Sequence, residues 1–232
     1  MKYKRILLKL SGEALSGGKG FGFDEETVRQ TAAQVKRAAD LGVEIGIVIG
    51  AGNFWRGRSS DEMDRVKADQ IGMLATAMNC LYASEIFRGE GMQTAVYAPY
   101  PIGLYTETFH KDKVVEKLKE GVIVFYAGGT GHPFFSTDMA AALRAVETDC
   151  DGILMAKSID GVYDDDPKKN PDAKKYDHLT YEEILAKGLM VMDLPAAGLC
   201  LENKMPTKLF ALQEKDSIIR VVQGEAIGTT IE

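Results

Sequence analysis

Residues 43–53 have the sequence VEIGIVIGAGN, an apolar run that ends in glycines, and this combination decides the fold. The run from Val43 to Ile49 has the β-branched composition of a buried strand. Gly50 and Gly52 then interrupt it, as glycines do where a strand gives way to a loop. A strand that is apolar throughout, rather than at alternate positions, is typical of a parallel sheet that is covered on both faces.

The same pattern recurs along the chain. Apolar strands are predicted over residues 3–10, 93–98, 122–127 and 152–156, with a weaker one over 207–212. Helices are predicted over residues 25–41, 61–87, 111–120, 137–147, 181–187 and 195–203. This alternation predicts an α/β fold, a three-layer αβα sandwich around a mostly parallel sheet. Because no repeat or long linker interrupts it, residues 1–232 are expected to form a single domain.

Composition narrows the function classes. The 232 residues are 45% hydrophobic and 27% charged, and no apolar run approaches the ~20 residues that span a membrane. The basic start from Met1 to Arg5 leads into an apolar run that Lys9 interrupts, so a signal peptide is not indicated and a cytoplasmic protein is expected. A net charge of −6 argues against general nucleic-acid binding. Cys80, Cys150 and Cys200 have neither metal-site nor disulfide spacing, which favours buried hydrophobic roles.

Glycines, hydroxyls and lysines follow four of the predicted strands. They occur at residues 9–12, 50–53, 128–131 and 157–158. Ligands of such sheets bind where the strands end, and glycine lets backbone amides approach phosphate oxygens while lysine supplies charge. A single loop of this kind is weak evidence, but four at one edge predict a polyphosphate site. Neither G-x-x-x-x-G-K-[ST] nor, after the first strand, G-x-G-x-x-G is present.

Five longer motifs carry a resemblance to a known family. They are KLSGEAL at 9–15, GAGNFWRG at 50–57, DQIGMLAT at 69–76, GTGHPFFSTD at 129–138 and DGVYDDDP at 160–167. In order and spacing the chain resembles the bacterial UMP kinases of the amino-acid-kinase superfamily. The first and last motifs are shared across the superfamily, whereas the 129–138 motif is more specific to the UMP kinases.

The resemblance implies an amino-acid-kinase (carbamate-kinase-like) fold and a nucleoside monophosphate kinase. The implied reaction is reversible transfer of the γ-phosphoryl of ATP, carried with Mg²⁺, to UMP, giving UDP and ADP in de novo pyrimidine nucleotide synthesis. A UMP phosphate oxygen is already ionised at neutral pH, so no general base and no phosphoenzyme are expected. Positioning and charge stabilisation would then supply the catalysis.

The resemblance also implies roles for individual residues. The implied catalytic residues are Lys9, Lys157 and Asp138, which would orient the lysines. The implied ATP-binding residues are Lys9, Leu10, Ser11, Gly12, Gly52, Arg56, Tyr163 and Asp166. The implied UMP-binding residues are Ala51, Asp69, Thr130, Gly131, His132, Pro133, Phe134, Phe135, Ser136 and Thr137. No residue is assigned as a metal ligand.

Family members are usually hexamers that GTP activates and UTP inhibits, so a homohexamer with both effectors is the expectation. The segment linked with the GTP response comprises Gly17, Gly18, Lys19, Gly20, Phe21 and Gly22, which is equally a flexible glycine loop. Met63, Met73, Met78 and Leu81 would build either a subunit interface or the core.

Two other functions remain open from sequence. One is a related enzyme that phosphorylates a carboxylate or carbamate, such as an acetylglutamate or carbamate kinase, which would need cationic or amide contacts for its substrate. The other is a nucleotide sensor on the same scaffold that binds UTP or GTP without phosphoryl transfer. Retention of Lys9, Asp138 and Asp166 argues against the sensor.

Overall fold

The computed structural model describes residues 2–55, 63–189 and 191–232. The strands are β1 (Arg5–Leu10), β2 (Glu44–Ile49), β3 (Thr94–Ala98), β4 (Glu107–Thr108), β5 (Ile123–Tyr126), β6 (Gly152–Lys157), β7 (Val162–Tyr163), β8 (Lys175–Tyr176), β9 (His178–Leu179), β10 (Thr207–Ala211) and β11 (Thr229–Ile231). The helices are α1 (Glu13–Ser16), α2 (Glu25–Asp40), α3 (Arg65–Gly89), α4 (Lys111–Lys119), α5 (Thr137–Glu147), α6 (Tyr181–Lys187), α7 (Leu194–Glu202) and α8 (Ser217–Gln223).

Nine of these strands form one sheet in the order β4-β3-β5-β2-β1-β6-β10-β11-β9. Apart from β11, which pairs antiparallel with β10, the neighbouring strands run parallel. Strands β7 and β8 form a separate antiparallel hairpin. The predicted α/β fold with a mostly parallel sheet is therefore confirmed.

Two apolar layers lie on opposite faces of the sheet. Helices α2, α3 and α8 pack on one face, where Ile6 and Leu8 of β1 are fully buried. Helices α4, α5, α6 and α7 pack on the other face, where Leu7 is buried. Since side chains alternate along a strand, Lys9 follows Leu7 towards the layer that contains α5.

Local signals set most helix boundaries. Asp24 caps α2 by accepting from the Thr27 backbone N–H at 2.9 Å, and Gly42 beyond its end has a positive φ of 85°. The helix predicted from about residue 61 begins at Arg65, because Asp64 provides the cap. Asp61, the expected first residue, lies outside the described residues.

The last third of the chain contains elements that the sequence analysis did not predict. Helix α8 begins after Asp216, which has a left-handed φ of 57° and no side-chain cap, so the usual start signal is missing. Strand β11 is only three residues long and is defined by its pairing with β10 and β9. Both elements depend on contacts that are distant in sequence.

Candidate active site

Four adjacent parallel strands, β5, β2, β1 and β6, end at the same edge of the sheet. The segments at these strand ends are 128–131, 50–53, 9–12 and 157–158, the four that were predicted from sequence to lie together. The prediction of one shared edge is confirmed. We call this edge, made by these four loops, the rim.

A buried ion pair lies at the centre of the rim. Lys9 Nζ is 2.9 Å from Asp138 Oδ1, and the two side chains are only 10% and 17% exposed. Asp138 is in the first turn of α5, whose cap Ser136 accepts from the backbone N–H groups of Asp138 and Met139 at 3.0 and 3.3 Å. Ser136 is therefore a helix cap, and it fixes the first turn of α5 that carries Asp138.

A second lysine, Lys157, ends β6 and donates to the backbone carbonyl of Val191. Burial lowers the pKa of Lys157 below the usual lysine range; the Asp138 carboxylate opposes this shift, and the positive charge of Lys9 adds to it. The rim thus brings together two lysines and one carboxylate, a charge arrangement suited to an anion that carries several negative charges.

Backbone packing around Gly12 leaves no room for a side chain. A Cβ at Gly12 would lie 2.5 Å from Asn53 Oδ1 and 2.6 Å from both Gly50 O and Gly52 N. A Cβ at Gly50 would lie 3.4 Å from Gly12 N and equally far from Thr137 Oγ1. The loops after β1 and β2 therefore meet the start of α5 within a few ångströms, which lets backbone amides surround a phosphate.

The loop after β2 is fixed by a buried pair of amides. Asn53 and Asn79 exchange hydrogen bonds of 3.0 and 2.8 Å, and both residues are at most 1% exposed. Asn79 also donates to Gly50 O at 2.7 Å, and Asn53 donates to Gly22 O at 2.9 Å. This network joins α3 to the rim and to the glycine loop that ends at Gly22.

A cavity of about 500 Å³ opens beside the rim, between α3 and the loop after β5. Its lining comprises Ala51, Gly52, Trp55, Arg65, Ala68, Asp69, Gly72, Met73, Thr76, Gly129, Thr130, His132, Phe135, Ser136 and Thr137. Most residues assigned to UMP from sequence lie in this wall. Of the others, Gly131, Pro133 and Phe134 belong to the same loop but do not line the cavity.

The loop after β5 is held by specific bonds. Phe134 N–H donates to Asp69 Oδ2 at 2.8 Å, and Gly128 N–H donates to Thr76 Oγ1 at 2.9 Å. His132 N–H donates to Thr130 Oγ1 at 3.2 Å. The contact of His132 with Thr130 is thus a hydrogen bond within the loop.

A second cavity, of about 680 Å³, lies on the α2 side of the rim. Ser11, which was assigned to ATP, and Lys157, which was assigned a catalytic role, line it together with polar residues of α2 and of the 212–216 loop. Leu10 is buried in the core, so only its backbone is available to a ligand. Arg56, also assigned to ATP, lies outside the described residues.

The remaining residues assigned to ATP are on or beside the β7–β8 hairpin. Tyr163 Oη donates to Asp160 Oδ1 at 2.8 Å, and this hydrogen bond raises the pKa of Tyr163. Asp166 Oδ1 accepts from the Lys168 backbone N–H at 3.0 Å, so Asp166 shapes the turn that follows β7. Neither Tyr163 nor Asp166 lines the 680 Å³ cavity.

The segment assigned to the GTP response, Gly17–Gly22, contains a 3₁₀ turn over Gly17–Lys19. Gly17, Gly20 and Gly22 all have positive φ angles. Phe21 is 68% exposed, and its ring lies 5.3 Å from that of Phe54. Gly22 N–H donates to Asn53 O at 3.0 Å, which connects this segment to the rim.

Trp55, Arg65, Thr76 and Asn79 belong to the site but were assigned no role in it from sequence. Trp55 lines the cavity and donates from Nε1 to Ala68 O at 2.8 Å. Thr76 and Asn79 are buried polar residues within the mostly apolar inner face of α3. That pattern could have identified them, because a buried polar side chain needs a partner.

No helix in residues 2–55, 63–189 and 191–232 combines the length and apolarity needed to cross a bilayer. Over the same residues, no group of three or more His, Cys, Asp or Glu side chains is arranged to hold a metal ion.

The nine-stranded sheet and the rim define the class of protein. The chain belongs to the amino acid kinase family, whose defining pattern matches residues 4–211.

Within this family, the chain is similar to several solved kinase structures. The chain is 37% identical to the UMP kinase of Bacillus anthracis, with 99% of this chain and 96% of that chain covered and a TM-score of 0.96. It is 32% identical to the UMP kinase of Ureaplasma parvum, with both chains fully covered and a TM-score of 0.93. The uridylate kinase of Archaeoglobus fulgidus is 27% identical over 98% of this chain and 99% of that chain, with a TM-score of 0.74.

Proposed function

We propose that the chain is a UMP kinase, a single domain over residues 1–232 that transfers the γ-phosphoryl of ATP to UMP. One observation carries the proposal. The wall of the 500 Å³ cavity includes Ala51 and Gly52 of the rim, and Thr137 of the same wall lies close to Gly12, since a Cβ at Gly50 would be 3.4 Å from both Thr137 Oγ1 and Gly12 N. A monophosphate in the cavity would therefore face a triphosphate on the rim. The similarity to UMP kinases supports the identity of the acceptor.

The reaction is a direct in-line transfer. An ionised oxygen of the UMP phosphate forms a bond to the γ-phosphorus while the bond between the γ-phosphorus and the β,γ-bridging oxygen breaks. The electron pair leaves with ADP, and the products are UDP and ADP. Lys9 neutralises charge on the transferring group, Lys157 acts beside it, and Asp138 holds the Lys9 ammonium in place.

The donor nucleotide lies with its phosphates over residues 9–12 and Gly52. Arg56 would add a guanidinium, and Tyr163 and Asp166 would contact the adenosine. The Asp138 carboxylate at the rim suits Mg²⁺ that arrives with ATP, since this ion usually takes one or two carboxylates besides phosphate and water ligands. Bound there, Mg²⁺ would offset negative charge on the phosphates.

The acceptor nucleotide fills the 500 Å³ cavity. Asp69 accepts from the ribose hydroxyls, and the backbone and side chains of Ala51 and of the 130–137 loop contact the phosphate and the uracil. Neutral hydroxyls and amides suit uracil, which offers two carbonyls and one N–H. Gly131, Pro133 and Phe134 contribute by shaping this loop.

The proposal extends to regulation and assembly. GTP would activate through residues 17–22, which are joined to the rim through Asn53, and UTP would inhibit. A homohexamer is supported by an apolar stripe on α3, where Ile71, Leu74 and Met78 are 37%, 52% and 50% exposed. Met63 is also exposed, whereas Met73 is buried, so the methionines divide between surface and core. We place the enzyme in the cytoplasm, in pyrimidine nucleotide synthesis.

The substrate profile tests the proposal. ADP release would be measured with ATP and Mg²⁺ and, in turn, UMP, CMP, acetylglutamate or carbamate. UMP should give the highest kcat/KM. Faster turnover of acetylglutamate or carbamate would instead identify a related kinase, and UTP or GTP binding without any turnover would identify a sensor.

A further inference from the structure

One carboxylate oxygen joins α3 to the loop over the 500 Å³ cavity. Asp69 Oδ2 accepts from Arg65 Nε at 2.9 Å and from the Phe134 backbone N–H at 2.8 Å. The Asp69 side chain is only 15% exposed, whereas that of Arg65 is 39% exposed. Arg65 is one helical turn before Asp69, so the helix itself sets the geometry of this contact.

The loop residue in this contact has an unusual backbone. Phe134 has a φ of 71°, in the left-handed region that few residues other than glycine adopt. Its ring is 62% exposed, so burial of the side chain does not account for this conformation. Two contacts from α3 hold this residue: the hydrogen bond to Asp69, and the Arg65 guanidinium carbon, which lies 5.5 Å from the ring centre.

Both members of the ion pair also face the cavity. Arg65 and Asp69 belong to its wall, as does Phe135, the residue after Phe134. A change at Arg65 would therefore alter how the Asp69 carboxylate is held and where the loop closes on a bound nucleotide. The two donors that share Oδ2 leave Oδ1 as the oxygen to receive ribose hydroxyls.

We infer that Arg65 is a positioning residue for the acceptor nucleotide: it acts through Asp69, orienting the carboxylate towards the ribose and keeping the Phe134 loop closed. This inference rests on the proposed function. Arginine suits the role because its planar group can donate from Nε to the carboxylate while its face lies against an aromatic ring. Lysine offers a single point charge and would reproduce only part of the arrangement.

The test compares Arg65→Gln and Arg65→Lys with the unaltered enzyme, using UMP and 2′-deoxy-UMP as acceptors. Arg65→Gln should raise the KM for UMP about tenfold, the usual loss for a hydrogen bond to a charged group, with kcat and the KM for ATP nearly unchanged. The KM of Arg65→Lys for UMP should lie between that of the unaltered enzyme and that of Arg65→Gln. The preference for UMP over 2′-deoxy-UMP should shrink in Arg65→Gln, because the residue acts through the group that binds the ribose.

Arg88→Gln is the matched control, since Arg88 lies at the other end of α3, is 55% exposed and bonds to Thr94. A second measurement uses Asp69→Asn, in which adding Arg65→Gln should change the KM for UMP little. Additive effects, or an equal loss with both acceptors, would overturn the inference, as would an unchanged KM in Arg65→Gln. Absence of UMP turnover by the unaltered chain is a different result: it refutes the proposed function, and this inference with it.

Discussion

The two halves of the site, the proposed acceptor side and the proposed donor side, are built differently. On the acceptor side, side chains of α3 hold the backbone of the loop after β5: the buried Thr76 accepts from Gly128 N–H, and Asp69, whose side chain is 15% exposed, accepts from Phe134 N–H. On the donor side, the β7–β8 hairpin is joined to the buried Thr229 through the Val162 N–H, and it carries an ion pair between Asp160 and Lys175 whose side chains are 39% and 33% exposed.

The two halves differ in the interactions that make them rigid. Removing one partner of a buried hydrogen bond costs about 1–3 kcal/mol, whereas an exposed ion pair contributes about 0–1 kcal/mol. The buried hydrogen bond of Thr76 therefore holds the loop after β5 more firmly than the Asp160–Lys175 ion pair holds its part of the hairpin, whose strands depend on Thr229 instead. On the proposed assignments, acceptor specificity would arise from a preformed cavity.

Lys9 lies between the halves, so its loss should affect both nucleotides alike. Lys9→Ala should lower kcat by about 10³-fold, because the ammonium acts mainly on charge that develops in the transition state. The KM values for ATP and UMP should change by no more than a few fold. Steady-state kinetics with each substrate varied in turn would measure this.

Lys9→Ala also removes the ammonium that lies 2.9 Å from the Asp138 carboxylate, so stability has to be measured alongside. Adding Asp138→Asn removes the carboxylate charge as well and should regain thermal stability without regaining turnover. Near-normal kcat in Lys9→Ala would show that the transferring group lies elsewhere.

Substitution of Gly12 tests whether close backbone contacts at this residue join the two halves. Gly12→Ala places a methyl group 2.5 Å from Asn53 Oδ1 and must displace the loop after β2. We expect kcat/KM to fall about 10²-fold and stability by about 1–3 kcal/mol, the usual cost of overpacking. Gly198→Ala, in α7 where a Cβ meets nothing within 4 Å, is the control and should retain full activity. Equal behaviour of the two variants would contradict the close contact of the loops.

A pair of substitutions separates the halves directly. Asp69→Asn should raise the KM for UMP about tenfold and leave that for ATP unchanged, because the amide is a weaker acceptor for ribose hydroxyls. Tyr163→Ala should raise the KM for ATP about tenfold and leave that for UMP unchanged. Each variant serves as the control for the other. If Tyr163→Ala has no effect, the 680 Å³ cavity lined by Ser11 and Lys157 becomes the better candidate for the adenosine.

The two halves also differ in how far sequence could predict them. The strands β1, β2, β3, β5 and β6 and the loops of the rim follow from apolar runs and glycines, which act locally, whereas the two-residue strand β4 is not apolar and was not predicted. The contact of Asp69 with Phe134 joins residues 65 positions apart, and no local pattern specifies it. The left-handed φ of Phe134 could not be expected either, since phenylalanine favours other conformations. Helix α8 lacks a side-chain cap and was missed for a similar reason.

The smallest effect concerns Lys157, on the donor side of the rim. Because burial lowers its pKa, the ammonium loses its proton at a lower pH than an exposed lysine, so kcat/KM should begin to fall earlier on the alkaline side. Lys157→Arg keeps the positive charge, so the alkaline fall in kcat/KM should move to higher pH. This variant should lose about tenfold in kcat, because the guanidinium is larger than the ammonium.

The contribution of Lys157 to the stability of the folded protein should increase over the same rise in pH that lowers kcat/KM. Between the lowered folded pKa and the ordinary unfolded pKa of Lys157, the unfolded chain binds more protons, so this residue makes the folded state more stable as pH rises. The stability difference between the unaltered protein and Lys157→Met, followed by thermal unfolding from pH 7 to 10, isolates this contribution from other titrating groups. If activity falls while the unaltered protein gains stability relative to Lys157→Met, the two effects have separate causes. The positive charge of the buried ammonium then serves activity at a cost to stability. If activity and the stability of the unaltered protein relative to Lys157→Met fall together, the loss of activity at alkaline pH reflects loss of the fold. Lys157 then has no separate role in the donor half.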